Sequence, residues 1–255
     1  MKHLALLLSL ISAALAQSRF DGTWEMKMDT LQFAGAPEEY VIDKGMYHCL
    51  TCVPKVDVKA DGTDQKVAGH PYFDTITVRI VDDHAVKFTM KKDGLPTFSC
   101  VETVSQDGFT MAEDFTNIGE AETVTGKAGF TRVAKGPAGT HALSGKWSMQ
   151  TVENATAAGT ITTYQSTADG MKISDGSQSY EAKFDGKDYA IDRDGHATVS
   201  LRPIDEYTME ETDKQDGTVM TVARFTVSKD GKSMRVESAD KQRGGTMTYT
   251  AEKKP

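Results

Sequence analysis

Thr75–Gly108 reads TITVRIVDDHAVKFTMKKDG, LPTFSC, VETVSQDG, and Thr198–Gly231 reads TVSLRPIDEYTMEETDKQDG, TVMTVA, RFTVSKDG. The second stretch repeats the pattern of the first. The differences 216 − 93 (Asp to Asp), 230 − 107 (Asp to Asp) and, far upstream, 147 − 24 (Trp to Trp) all equal 123. A register held through that many turns is the mark of a duplicated domain.

Within the repeat the side chains alternate. Ile76, Val78 and Ile80 project to one face, Thr77 and Arg79 to the other. Val86, Phe88 and Met90 then alternate with Lys87 and Thr89, and Asp82-Asp83, Asp93-Gly94 and Asp107-Gly108 turn the chain. Short alternating runs broken by acid-acid or acid-glycine turns make an antiparallel meander. The rest of the chain agrees: threonine occurs 30 times, and no stretch keeps a helical period. Pro203 cannot donate to a ladder, so its strand is bulged or at an edge there. A meander of this length leaves two raw edges unless it rolls up. The expectation is all-β: two tandem antiparallel up-and-down β-barrels, over residues 17–134 and 142–255. The segment 135–141, rich in Gly and Pro, is read as a linker.

Residues 1–16 read as an export signal, with Lys2 before an apolar run and Ala14-Leu15-Ala16 as the cleavage pattern. That run is too short to span a bilayer, and no later run is long enough either. A secreted or periplasmic protein is expected, with no membrane span. The formal net charge is −8, and loss of Lys2 takes it to about −9. An acidic chain without a Lys/Arg block lacks what nucleic acid or an anionic membrane demands.

Phe20-x-Gly-x-Trp24 and Leu143-x-Gly-x-Trp147 each open a meander. This pairing resembles the calycin superfamily, which includes the lipocalins and fatty-acid-binding proteins, and is similar to exported bacterial proteins that carry such barrels in tandem. The resemblance implies a lipocalin-like barrel whose floor is closed by the indole. It also implies a cation from the last strand lying over that ring. Arg132 is expected to supply it for Trp24, and Lys253 for Trp147.

Cys49-Leu-Thr-Cys52 admits four readings in an exported protein. The first is a local disulfide between Cys49 and Cys52, which fits an oxidising compartment best. The others are a bridge from either cysteine to Cys100, a metal site with His48 or His70, and a redox pair. The second copy has no counterpart of the Cys-x-x-Cys, so the fold does not require it. Cys100 corresponds to Ala223 and reads as a small interior side chain. The six histidines show no ligand spacing, and the turns Asp82-Asp83 and Asp192-Arg193-Asp194 lack a calcium-ligand series. No cofactor and no metal is expected.

Glu211 shares a face with Tyr207 and Met209 and corresponds to Phe88; Glu102 corresponds to Phe225. A carboxylate on an interior face costs several kcal/mol unless it is paired. Glu211 would then contact a polar ligand group or a neighbour such as Arg224. A local bulge turning it to solvent is the simpler expectation. Phe88, Phe98 and Phe225 are the inward-facing candidates for ligand contact, with Glu211 beside them. With no nucleophile–base pair legible, the chain reads as a non-enzymatic binding protein for a small apolar or amphipathic molecule. The alternative is an envelope structural or interaction protein with filled barrels that works through its surface. Val86, Phe88 and Met90 lean towards filled.

Overall fold

The computed structural model describes residues 18–119, 122–176, 178–191 and 196–255; the expected export segment and the acidic turn at 192–194 lie outside them. Strands dominate, and the one helical element among the described residues is a 3-10 turn at Ala157–Gly159. The first half contributes β1 (Gly22–Ala34), β2 (Glu38–Asp43), β3 (Met46–Cys49), β4 (Val56–Lys59) and β5 (Asp61–Lys66). It continues with β6 (Thr75–Ile80), β7 (Ala85–Lys92), β8 (Leu95–Val104), β9 (Thr110–Ile118) and β10 (Thr123–Lys135). The second half repeats them as β11 (Gly145–Glu153), β12 (Ile161–Ser166), β13 (Gly170–Asp175), β14 (Ser179–Lys183) and β15 (Tyr189–Ala190). Then come β16 (Ala197–Pro203), β17 (Thr208–Gln215), β18 (Thr218–Val227), β19 (Ser233–Asp240) and β20 (Thr246–Lys253).

These strands form two ten-stranded antiparallel sheets, each curled into a nearly closed barrel. Barrel 1 runs β4-β3-β2-β11-β10-β9-β8-β7-β6-β5, and barrel 2 runs β14-β13-β12-β1-β20-β19-β18-β17-β16-β15. The expectation that residues 17–134 and 142–255 each supply a whole barrel therefore needs one correction. The opening strands have changed places: β11 lies in barrel 1 and β1 in barrel 2.

The reason is local. β10 passes into β11 through residues 136–144, and the two pair antiparallel from Lys135↔Gly145 through Arg132↔Trp147 to Lys127↔Glu153. Neighbours in sequence joined by a short link need little loop-closure entropy to pair. Once β11 fills that slot, β1 takes the equivalent place beside β20, with Trp24 opposite Lys253. This is domain swapping within one chain. The link is not a free spacer. Arg132 donates to the carbonyls of Ala142 and Ser144 at 2.6 Å each, and His141 reaches the Asp82 carbonyl at 2.7 Å.

The alternation places the core as expected. Ile76, Val78, Val86 and Phe88 are buried in barrel 1, and Val199, Leu201 and Phe225 in barrel 2. Ile80 does not follow its expected parity and is exposed at the end of β6. Pro203 ends β16 beyond the reach of β15, which pairs only with Thr198 and Val199.

The Gly-x-Trp motifs bury matching indoles. Each indole N–H donates to the carbonyl four residues back, Trp24 to Phe20 at 2.7 Å and Trp147 to Leu143 at 2.8 Å. The motif glycines sit at φ +124° (Gly22) and +140° (Gly145), where a Cβ would meet Lys253 or Arg132 at 2.6 Å. Glycine leaves room for the cation. Because the strands are exchanged, the expected pairing is reversed: Arg132 lies 3.9 Å from the Trp147 ring, and Lys253 lies 5.1 Å from that of Trp24.

Candidate functional site: carboxyl pairs inside the barrels

Both barrels bury acids at positions where the other barrel is apolar. In barrel 2, β17 turns Glu211 and Asp213 inward; their counterparts in barrel 1 are Phe88 and Met90. In barrel 1, β8 and β9 place Glu102 opposite Glu113, whereas the same cross-strand pair in barrel 2 is Phe225 opposite Val236. One fold thus exists with and without each pair. Like charges directly opposite are destabilising, and a sealed carboxyl costs several kcal/mol. The fold does not require these acids, so their placement calls for another explanation.

Glu211 is 8% exposed, which overturns the expectation of a bulge turning it to solvent. The register of β17 against β18 slips only between Asp213 and Lys214, after Glu211, so the inward parity survives. Arg224 is not its partner either: it pairs with Glu210 at 3.0 Å, on the outside. Inside, the Tyr180 hydroxyl donates to Glu211 at 2.6 Å. Burial pushes the Glu211 carboxyl well above its usual range, with the neighbouring Asp213 carboxylate adding to it; burial raises Asp213 as well.

Around the pair lies a cavity of about 860 Å3. Tyr164, Ile173, Tyr180, Phe225 and Tyr249 form its walls together with Asp175, Glu211 and Asp213. Tyr72, Lys92 and Thr97, which belong to barrel 1, stand over it. Lys92 and Lys214 are on its lining with His196, and Lys214 is held by Asp188 at 2.7 Å. Where barrel 1 puts Phe88 and Met90, barrel 2 has two acids and an opening.

Barrel 1 is filled at that level. Phe88 is buried edge-on against Tyr47, 5.2 Å between ring centres, and Tyr47 stacks on Tyr40. The Tyr40 hydroxyl donates to Glu38, which also takes Arg243 of barrel 2 at 3.1 Å. Elsewhere in barrel 1, Cys100, Glu102 and Glu113 converge. Burial raises all three. One Glu102 carboxyl oxygen is buried with no hydrogen-bond partner.

Of the four residues singled out for ligand contact, Glu211 and Phe225 line the barrel 2 cavity, Phe98 lines a cavity of about 500 Å3 between the barrels, and Phe88 fills barrel 1. They do not form one site. Cys49 and Cys52 are bridged, S–S 2.07 Å, and Cys100 is a buried free thiol. His48 pairs instead with Asp57, and His70 stacks on Phe73. The sequence reading passed over Asp213 and Glu113. The comparison of copies that marked Glu211 and Glu102 also marks these two, against Met90 and Val236.

Comparison with protein-family models, curated proteins and solved structures returns no match. No described helix is long and apolar enough to cross a membrane.

Proposed function

We propose that this chain is an exported, non-enzymatic binding protein of the calycin kind, which holds a small amphipathic molecule in barrel 2. One observation carries the reading: the barrel 2 cavity opens where its twin is plugged, and Glu211 and Asp213 sit on its wall where barrel 1 has Phe88 and Met90. Its volume falls in the usual range for small-molecule sites. Aromatic walls with a few convergent polar groups suit a ligand that is apolar over most of its length. The acids define the other end. Buried carboxylates are stabilised by a cation and penalised by another anion, so the ligand's head is an amine rather than a carboxylate. A surface role through filled barrels suits barrel 1, where Tyr40, Tyr47 and Phe88 occupy the interior.

The test is calorimetric titration with a medium-chain alkylamine and with the alkyl carboxylate of equal length. The amine is expected to bind and the carboxylate not, and Glu211→Gln to weaken the amine at least tenfold. Affinity should climb from pH 5 to pH 8 as Glu211 and Asp213 ionise. Preference for the carboxylate, or no binding of either, would overturn the reading.

A further inference from the structure

We propose that barrel 1 holds a divalent transition-metal ion of the zinc class between Cys100 Sγ and the carboxylates of Glu102 and Glu113. The donor atoms lie within 4.8 Å of one another, close enough for one ion to touch all three. Cys100 and Glu102 project inward from alternate positions of β8, and the β8–β9 register sets Glu113 beside Glu102. A thiolate with two carboxylates is a borderline-soft donor set. It fits zinc and its neighbours better than calcium or magnesium, which take oxygen alone.

Two further observations separate this cluster from an ordinary group of acids. Glu102 is only 6% exposed, yet one of its carboxyl oxygens has no partner. Such an atom destabilises the fold unless something meets it. Second, barrel 2 builds the same strands with Ala223, Phe225 and Val236 at these positions, so packing does not demand a thiol and two acids. Entry is available through the cavity between the barrels, which Glu113 lines beside Phe98 and Asn117. The site is distinct from the amine pocket and does not depend on it.

The experiment is cobalt(II) and zinc(II) titration of the full chain under non-reducing conditions, with Cys49–Cys52 left oxidised so that Cys100 is the one free thiol. Expected are one equivalent of metal and a thiolate-to-cobalt charge-transfer band. Cys100→Ala, which installs the residue barrel 2 carries, should abolish the band, and Glu102→Gln should weaken zinc at least tenfold. Both variants should keep the β-rich far-ultraviolet circular dichroism spectrum and the cooperative melting of the parent chain, which shows that they fold. Failure of the parent chain to take up either metal stoichiometrically would overturn the proposal. So would uptake that Cys100→Ala and Glu102→Gln leave intact.

Discussion

A carboxyl sealed inside a barrel keeps its proton longer than the same group in an unfolded chain. Glu211 shares its cavity with Tyr180, Tyr164, Tyr249, Asp175 and Asp213, with Lys92 and Lys214 elsewhere on the lining, and burial raises it to about 8. The unfolded chain loses that proton near pH 4. Between those values the unfolded state binds fewer protons than the folded one, so stability falls as pH rises through the window. The slope is on the order of 1.4 kcal/mol per pH unit for one group. The unliganded protein should therefore melt higher at pH 5 than at pH 8, and the gap should shrink in Glu211→Gln with Asp213→Asn. An undiminished gap in that variant would place the titration elsewhere. Asp74 works the other way: hydrogen bonds, chiefly from Thr75, hold it near 2, so its contribution is present above about pH 4 and lost in stronger acid. At this scale the sequence was partly legible. Setting Glu211 against Phe88 exposed the anomaly, but parity alone does not say whether a bulge precedes it.

At the scale of strands, the meander was legible because each turn carries its own chemistry. Asp93 and Asp216 take positive φ at +52° and +48°, each followed by a glycine in the same region, at Gly94 and Gly217. Burying each indole also removes roughly 200 Å2 from water, worth about 5 kcal/mol, so both Gly-x-Trp strands were bound to enter a barrel. Which barrel each enters was not legible. The two strands carry the same motif and suit the same slot, and only the nine-residue link from β10 to β11 decides between them. Cysteine cross-linking separates the two arrangements. Glu25 pairs with Glu252 in the exchanged fold, while its counterpart Ser148 pairs with Thr131. Glu25→Cys with Glu252→Cys should oxidise to a bridge within a single chain, and Glu25→Cys with Thr131→Cys should not. The opposite result would return each opening strand to its own half.

For the molecule as a whole, the duplication supplies a control that a single barrel would lack. Each half shows what the other looks like without its acids: Phe88 and Met90 stand in for Glu211 and Asp213, Phe225 and Val236 for Glu102 and Glu113. The two barrels have diverged inside while keeping their buried indoles, turns and strand order. One is filled apart from a thiol–carboxyl cluster, and the other is open with carboxyls on its wall. The exchange of β1 and β11 ties them into one body, and Tyr72 and Thr97 of barrel 1 stand over the barrel 2 cavity. The central claim is that the interior acids are kept against the interest of stability. It is tested most directly by the denaturation midpoint, at pH 8, of the chain carrying Glu211→Phe and Asp213→Met, the residues its own first half uses. The midpoint should rise, with the unfolding free energy higher by about 1–4 kcal/mol if the gain matches those seen when buried charges give way to apolar groups, while alkylamine binding disappears. A fall in the midpoint would mean that the acids hold barrel 2 together, and the account would be contradicted.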